Sequence, residues 1–215
     1  MRIKICGLTN VEEARAIASM GVDTIGFICV KDSPRYIPPF SIRAIVEKLP
    51  PQISTIGVFV NASVSKIVDI VRETRLTGVQ LHGEEDIAFC EQLRIILPSI
   101  EIIKAIRYKD AQSRQEAEKY IPVVDTLLID TYQKGIHGGT GTTFNWDELR
   151  DYRPSRPWLV AGGVSPDNVI TAFNTLQCDG IDLSSKVEVK PGQKDLEKIK
   201  QLIIKLESIK NKLPN

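Results

Sequence analysis

The sequence has 215 residues, and 28 Lys plus Arg balance 27 Asp plus Glu to a net charge of +1, which argues against nucleic acid as a partner. It contains no run of roughly 18 to 20 apolar residues and no leader pattern, so we expect no membrane partner and a cytoplasmic location. The four cysteines form no Cys-x-x-Cys pair and accompany only two histidines, which argues against disulfides and structural zinc.

Aliphatic runs of strand length recur along the whole chain. In chain order they are RIKIC, TIGFI, TIGVFV, GVQLH, EIIKAI, DTLLID, WLVAGG and GIDLSS. Amphipathic stretches fill the gaps, first after Asn10 and later at SKIVDIVRETR, IAFCEQLRIIL and DLEKIKQLIIKL. Strands that alternate with helices predict an α/β fold with a parallel sheet, and this number of strands favours a closed (β/α)8 TIM barrel.

The length suits one domain with a substantial core, so we expect residues 1–215 to form a single barrel domain. An open doubly wound sheet is the alternative architecture. The first strand is not followed by a glycine-rich dinucleotide-binding motif, which makes this alternative the weaker one.

The alternation of residue types along each strand predicts which side chains enter the barrel. In RIKIC, Ile3 and Ile5 share the face toward the helices, which leaves Lys4 and Cys6 inside. Groups near the strand ends lie at the carboxyl-terminal mouth, where barrel enzymes build their sites. A deeper charge such as Lys4 is costly unless paired, so we expect interior ion pairs. The same alternation places five further polar residues inside: Gln80, His82, Asp130, Asp182 and Ser184.

A set of short motifs follows in a specific order: KICGLT, SPRYI, GVFVN, QLHG, LLIDT, GGTGTTFNW, AGGVSPDNV and IDLSSKVE. In this order the chain resembles the phosphoribosylanthranilate isomerase family of tryptophan biosynthesis, over nearly its whole length. The resemblance implies a (β/α)8 barrel that works without a metal or an organic cofactor. It also implies an Amadori rearrangement of N-(5-phosphoribosyl)anthranilate, an aminoaldose, to 1-(2-carboxyphenylamino)-1-deoxyribulose 5-phosphate.

An Amadori rearrangement needs an acid that opens the furanose ring and a base that removes the proton from C2′. Cys6 and Asp130 are both predicted to lie inside the mouth, and the resemblance implies that Cys6 is the base and Asp130 the acid. The role of base requires a positive or dipolar environment that lowers the pKa of the thiol from about 8.5. A strand cysteine is otherwise a small buried hydrophobe. We keep that interpretation for Cys29, Cys90 and Cys178.

The substrate that the resemblance implies carries a phosphate. Barrels commonly bind phosphate in the loops after strands seven and eight, which here contain Gly162 and Gly163, and Ser184 and Ser185. We predict that these four residues bind it. The first loop is also interpretable as a tight turn before a helix capped by Ser165, and the two interpretations are compatible.

The substrate also carries an anthranilate carboxylate, and Arg35 in SPRYI matches the arginine of the family motif. A guanidinium can hold a carboxylate in a bidentate pair, although an arginine in such a loop is commonly a solvated charge. The glycine-rich segment 131–145 is placed at the active site by the resemblance, either as a closing lid or as a long connection that replaces a helix. His82 and His137 are left outside the catalytic pair.

Two positions depart from the family pattern. Lys186 replaces a glycine beside the predicted phosphate loop. If φ is positive there, lysine is strained by about 1 kcal/mol, although its ammonium could pair with the phosphate. Asn145 replaces an aspartate, and it can still cap a short helix.

Three other functions fit the same strands. A related isomerase of histidine biosynthesis carries a carboxylate where Cys6 stands, and metal-dependent sugar-phosphate epimerases need a His and Asp cluster that two histidines hardly supply. A catalytically silent barrel that binds a phosphosugar is the third. We expect a small-molecule substrate and a chain that is a monomer or a homodimer.

Overall fold

The computed structural model describes residues 1–131 and 146–210, and eight parallel strands in it close into a barrel in chain order. The predicted (β/α)8 architecture is confirmed, and the open sheet is excluded. The glycine-rich segment, except Thr131, lies outside the described residues, as do His137 and Asn145. The barrel strands are β1 (Arg2–Cys6), β2 (Thr24–Ile28), β3 (Ser54–Phe59), β4 (Gly78–Leu81), β5 (Glu101–Arg107), β6 (Thr126–Asp130), β7 (Trp158–Ala161) and β8 (Gly180–Leu183).

Helices cover the outside of the barrel. Asn10 begins the first one as predicted, because its side chain accepts hydrogen bonds from the backbone N–H groups of Glu12 and Glu13 at 2.8 and 3.0 Å. The described part of the β6–β7 connection contains a 3₁₀ helix, Trp146–Leu149. The α-helices are α1 (Val11–Ser19), α2 (Pro39–Val46), α3 (Val64–Thr74), α4 (Ile87–Ile96), α5 (Gln112–Tyr120), α6 (Val169–Thr175) and α7 (Leu196–Lys210).

Two short segments between β8 and α7 were not predicted as strands. Glu188–Lys190 forms β9 and Gln193–Lys194 forms β10, and the two pair antiparallel as a hairpin. Within residues 1–131 and 146–210, no helix is long and apolar enough to cross a membrane. The assignment of all of residues 1–215 to one domain stays a prediction.

The barrel interior has an apolar half and a polar half. The apolar half is a buried cluster from β3, β5, β6 and β7, formed by Ile56, Ile103, Ala105, Leu128, Leu159 and Ala161. The polar half lies along β1 and β8, where the ammonium of Lys4 is 3.0 Å from the carboxylate of Asp182. Both side chains are buried, at 0% and 8% exposure. The predicted interior ion pairing is therefore confirmed for this pair.

A second buried ion pair lies outside the barrel, between the strands and the helices. The ammonium of Lys104 on β5 is 2.9 Å from the carboxylate of Glu85, and both side chains are 2% exposed. Glu85 also accepts hydrogen bonds from the backbone N–H groups of Asn61 and Gly83. These bonds fix the loops that follow β3 and β4. Burial raises the pKa of Glu85, but the hydrogen bond and charge of Lys104 outweigh it and hold that pKa below its usual range.

Replacement of Lys104 by Met leaves the buried Glu85 carboxylate without its counter-charge. We expect Lys104→Met to lower the free energy of unfolding at pH 7 by about 3 kcal/mol, measured by chemical denaturation. The loss should shrink below about pH 4.5, because the lowered pKa of Glu85 stabilises the native wild type only above the usual carboxyl pKa.

A matched control is Lys119→Met, which removes an exposed partner of Glu116 on α5. It should change the free energy of unfolding by no more than about 0.5 kcal/mol. Equal losses in the two variants would contradict the importance of the buried pair.

Candidate active site

Cys6 is the last residue of β1, and its side chain enters the mouth of the barrel. Gly26 on β2 makes room for it, because a Cβ atom at Gly26 would lie 2.7 Å from the sulfur of Cys6 and 3.1 Å from the ammonium of Lys4. The chain turns at Gly7, where φ is +84°, a conformation that favours glycine. The thiol is therefore buried at 5% exposure, above Lys4 and against the neighbouring strand.

The surroundings of Cys6 have opposing effects on its ionisation. Burial raises the pKa of the thiol, the nearby ammonium groups of Lys4 and Lys194 lower it, and the carboxylate of Asp182 raises it. The net effect is to raise the pKa of Cys6. The positive surroundings that the role of a base requires are present, but desolvation of a thiolate outweighs the attraction of the two lysines, so the pKa of Cys6 lies above its ordinary value.

Lys4 keeps its charge in this interior. Burial disfavours the ammonium, but the carboxylate of Asp182 and the neighbouring Cys6 outweigh that effect and raise the pKa of Lys4. The barrel interior below Cys6 therefore contains an ion pair, between Lys4 and Asp182.

Asp130 ends β6, and His82 follows β4 at the same mouth. The Nε2 atom of His82 lies 3.1 Å from a carboxylate oxygen of Asp130, and its Nδ1 atom lies 2.9 Å from the side-chain nitrogen of Gln80. In this orientation of the Gln80 amide, Nδ1 accepts the bond, and a neutral ring then carries its proton on Nε2 and donates it to Asp130. His82, which the sequence analysis left outside the catalytic pair, is thus a hydrogen-bond partner of Asp130.

The two predicted phosphate loops lie side by side, because β7 and β8 are neighbours in the barrel. Gly162 and Gly163 follow β7, and both have a φ of +76°. The hydroxyl of Thr131 donates to the carbonyl of Gly162 at 2.6 Å, and the side chain of Asn168 donates to that of Gly163 at 2.8 Å. The helix after this loop begins at Val169, later than a cap at Ser165 predicts.

Ser184 and Ser185 follow β8, and Ser185–Val187 forms a 3₁₀ turn. Lys186 lies in this turn and is exposed. Among the described non-glycine residues, positive φ angles occur only at Asn61 and Arg75, so Lys186 carries none of the strain that a glycine position there would impose. Its backbone is compatible with the loop.

Arg35, in the loop after β2, makes a side-on pair with Glu188 of β9. The carboxylate accepts from Nε of Arg35 at 2.9 and 3.1 Å and from Nη2 at 2.6 Å. The ammonium of Lys194 on β10 bonds to the same carboxylate at 2.7 Å. This charged cluster of Arg35, Glu188 and Lys194 borders Gly7, because a Cβ atom there would lie 2.9 Å from Cδ of Arg35 and 3.6 Å from Nζ of Lys194.

Glu188, Lys194 and the hairpin that carries them were not predicted from the sequence. The signal was present: VEVK and QK flank the turn dipeptide Pro191-Gly192, which is typical of a hairpin. Among the described residues, no group of three His, Cys, Asp or Glu side chains is placed to hold a metal ion.

A closed (β/α)8 barrel with a carboxyl group, a thiol and two loops that contain glycine and serine at one mouth has the architecture of a barrel enzyme. The family model described as N-(5'-phosphoribosyl)anthranilate (PRA) isomerase matches residues 3–205. The chain belongs to this family, and the resemblance found in its motifs is confirmed.

Individual relatives agree with the family model. The N-(5'-phosphoribosyl)anthranilate isomerase of Gloeothece citriformis is 52% identical over 96% of this chain and 94% of its own length. A solved phosphoribosylanthranilate isomerase in complex with reduced 1-(o-carboxyphenylamino)-1-deoxyribulose 5-phosphate is 36% identical, with a TM-score of 0.85 and coverage of 97% and 99%. Monomers generated from the dimeric isomerase of Thermotoga maritima are 35% identical, with a TM-score of 0.84 and the same coverage.

The raised pKa of Cys6 is measurable through the ultraviolet absorbance of the thiolate. We expect the difference between wild type and Cys6→Ser to titrate above pH 9.0, because burial raises this pKa from its ordinary value. Lys194→Met should move the titration to still higher pH, because the charge of Lys194 lowers the pKa of Cys6. A titration near neutral pH in wild type would contradict the dominance of burial. Subtraction of Cys6→Ser removes the other three thiols.

Proposed function

We propose that this chain converts N-(5'-phosphoribosyl)anthranilate to 1-(o-carboxyphenylamino)-1-deoxyribulose 5-phosphate by an Amadori rearrangement, with Asp130 as general acid and Cys6 as general base. The observation that carries the proposal is the placement of both groups in one mouth. Cys6 ends β1 and Asp130 ends β6, and β7 and β8 lie between them in the closed barrel. A ribose held across the mouth can meet both groups.

The reaction begins when the carboxyl group of Asp130 donates a proton to the furanose ring oxygen. The C1′–O bond breaks, the nitrogen lone pair forms the C1′=N bond, and Asp130 is left as a carboxylate. The thiolate of Cys6 then removes the proton from C2′, and the electron pair of that C–H bond moves through C1′ to nitrogen to give an enolamine. Protonation at C1′ and loss of the proton on the C2′ oxygen give the aminoketose.

Cys6 must be ionised to act as the base, and its pKa is raised in the protein without substrate. Two ammonium groups, on Lys4 and Lys194, are available to stabilise the thiolate when it forms. The cationic Schiff base adds a further positive charge beside it during the reaction. Opposite charge at short range favours the ionised form of a thiol, so base strength develops with the intermediate.

His82 acts as a positioning residue for Asp130 in this proposal. Its hydrogen bond to the carboxyl group restrains the orientation of the acid. Gln80, 1% exposed at its place in the barrel, fixes the ring of His82 in turn. A chain of hydrogen bonds therefore connects the interior of β4 to the acid on β6.

The two anionic groups of the substrate fit separate sites at the mouth. The loops that contain Gly162, Gly163, Ser184 and Ser185 offer backbone N–H and hydroxyl groups to the phosphate, and positive φ at both glycines keeps the backbone accessible. Arg35 is the proposed partner of the anthranilate carboxylate. The reduced product analogue in the solved relative carries the same two anionic groups.

The silent barrel and the histidine-pathway isomerase are less well supported. A silent barrel would have no need to orient Asp130 through His82. The thiol at Cys6 distinguishes the chain from the isomerase of histidine biosynthesis. Oligomeric state, monomer or homodimer, stays a prediction, as does the cytoplasmic location, which four unpaired cysteines support.

Cys6→Ser and Asp130→Asn should each lower kcat by about 10²–10⁴-fold, because each removes one proton transfer while the shape of the site is kept. The assay follows the loss of anthranilate fluorescence from substrate generated in situ, with a metal chelator present to test for activity without a metal. Cys178→Ser, a buried cysteine outside the site, is the matched control and should keep kcat. Full activity of either site variant would contradict the assignment.

His82→Ala should lower kcat about tenfold and change KM by less than about threefold, because it releases the acid without removing a substrate contact. In His82→Gln the side-chain amide can reach the place of Nε2 and donate to Asp130, so we expect partial recovery of kcat. Steady-state kinetics of both variants test this. A loss expressed in KM, or no difference between Ala and Gln, would show that His82 does not orient the acid.

A further inference from the structure

The charged cluster of Arg35, Glu188 and Lys194 uses only one edge of the guanidinium. Both oxygens of Glu188 bond to Nε and Nη2 of Arg35. Within residues 1–131 and 146–210, no acceptor bonds to Nη1. The Nη1–Nη2 edge is therefore available for a second, end-on carboxylate, while the pair with Glu188 holds the plane of the guanidinium fixed.

The charges of the cluster add to +1. Arg35 and Lys194 are cations, Glu188 is an anion, and the side chains of Glu188 and Lys194 are 3% and 0% exposed. Burial lowers the pKa of Lys194 from its ordinary value of 10.5, and the carboxylate of Glu188 at 2.7 Å opposes that shift and favours the ammonium. The Arg35–Glu188 pair alone would be neutral and would give an incoming anion little attraction. Lys194 balances the charge of Glu188, which leaves the charge of Arg35 uncompensated at a side chain that is 21% exposed.

The hairpin that carries Glu188 and Lys194 is anchored on the other side of the mouth. Nζ of Lys194 lies 3.4 Å from the carbonyl oxygen of Ser184, and the hydroxyl of Thr9 donates to the carbonyl of Gly192 at 2.6 Å. The cluster is therefore held between the loops that follow β1 and β8. These are the loops that flank Cys6 and the proposed phosphate site.

We propose that Glu188 and Lys194 are positioning residues for the carboxylate of the substrate. Glu188 orients Arg35 by its Nε edge, and Lys194 neutralises Glu188 so that the positive charge of Arg35 is left for the anthranilate carboxylate. This inference rests on the proposed function of Arg35, and it assigns roles to two residues of the hairpin that do not themselves touch the reacting atoms.

The test compares two inhibitors, reduced 1-(o-carboxyphenylamino)-1-deoxyribulose 5-phosphate and the corresponding phenylamino compound without the carboxyl group. The ratio of their inhibition constants measures recognition of the carboxylate alone. We expect a ratio of about 100 in wild type and about 1 in Arg35→Ala, in line with the loss of a charged hydrogen-bonded pair. Ser185→Ala should weaken both inhibitors equally and keep the ratio.

Lys194→Met should lower the ratio about tenfold, because the remaining pair is neutral. The double variant Lys194→Met with Glu188→Gln restores a net charge of +1 and should recover most of the ratio, which a purely structural role of Lys194 would not produce. Lys190→Met, an exposed lysine in the same hairpin, is the matched control and should keep the ratio.

The experiment distinguishes failure of the proposed role of Arg35 from failure of the inference about Glu188 and Lys194. An unchanged ratio in Arg35→Ala would overturn the carboxylate assignment of Arg35, and the inference with it. A ratio near 1 in Arg35→Ala together with an unchanged ratio in Lys194→Met would overturn the inference alone. If Lys194→Met does not fold, as judged by thermal unfolding, the double variant decides, because it leaves no unpaired buried charge. A ratio tenfold below wild type in the folded double variant overturns the proposal.

Discussion

The buried ion pair between Lys4 and Asp182 is the interaction on which the polar half of the barrel depends. Two charges inside a barrel cost several kcal/mol each in desolvation, and their mutual attraction offsets that cost only with close contact. The observed separation of 3.0 Å meets this condition. The pair joins β1 to β8, the two strands at which the barrel closes, and it lies directly beneath Cys6. Strand closure and the electrostatic surroundings of the thiol therefore depend on the same contact.

The thiol at the tip of β1 lies under opposing fields. Burial opposes its ionisation, two lysines favour it and Asp182 opposes it again, and the net effect raises the pKa of Cys6. A neutral thiol reacts more slowly with oxidants and alkylating agents than a thiolate does. In the proposed mechanism, the positive charge that develops on the substrate nitrogen stabilises the thiolate at the step in which Cys6 acts as the base. The fold places Lys4 and Lys194 near Cys6, and the proposed reaction adds a positive charge on the substrate nitrogen.

Two glycines, Gly7 and Gly26, let the backbone pass close to the side chains at the mouth of the barrel. Gly26 admits the side chains of Cys6 and Lys4, and Gly7 turns the chain away from β1 while it leaves room for Arg35 and Lys194. A side chain at either glycine would displace at least one charged or reactive group. The motif KICGLT is one of those that carry the family resemblance. It contains both the proposed base, Cys6, and the turn at Gly7 that borders the charged cluster of Arg35, Glu188 and Lys194.

The sequence by itself determined the barrel and most of its interior. The periods of strands and helices depend only on local backbone geometry, so they can be recognised from the spacing of residue types along the chain. The alternation along each strand likewise predicts that Lys4, Cys6 and Asp130 point into the barrel. The structure confirmed the barrel, and the family comparison confirmed the resemblance. The raised pKa of Cys6 was beyond the sequence, because desolvation depends on how many atoms from other strands surround the sulfur. The partners of Arg35 were likewise decided by tertiary structure. Glu188 is 153 residues away along the chain, and only closure of β8 against β1 brings its hairpin to the loop after β2.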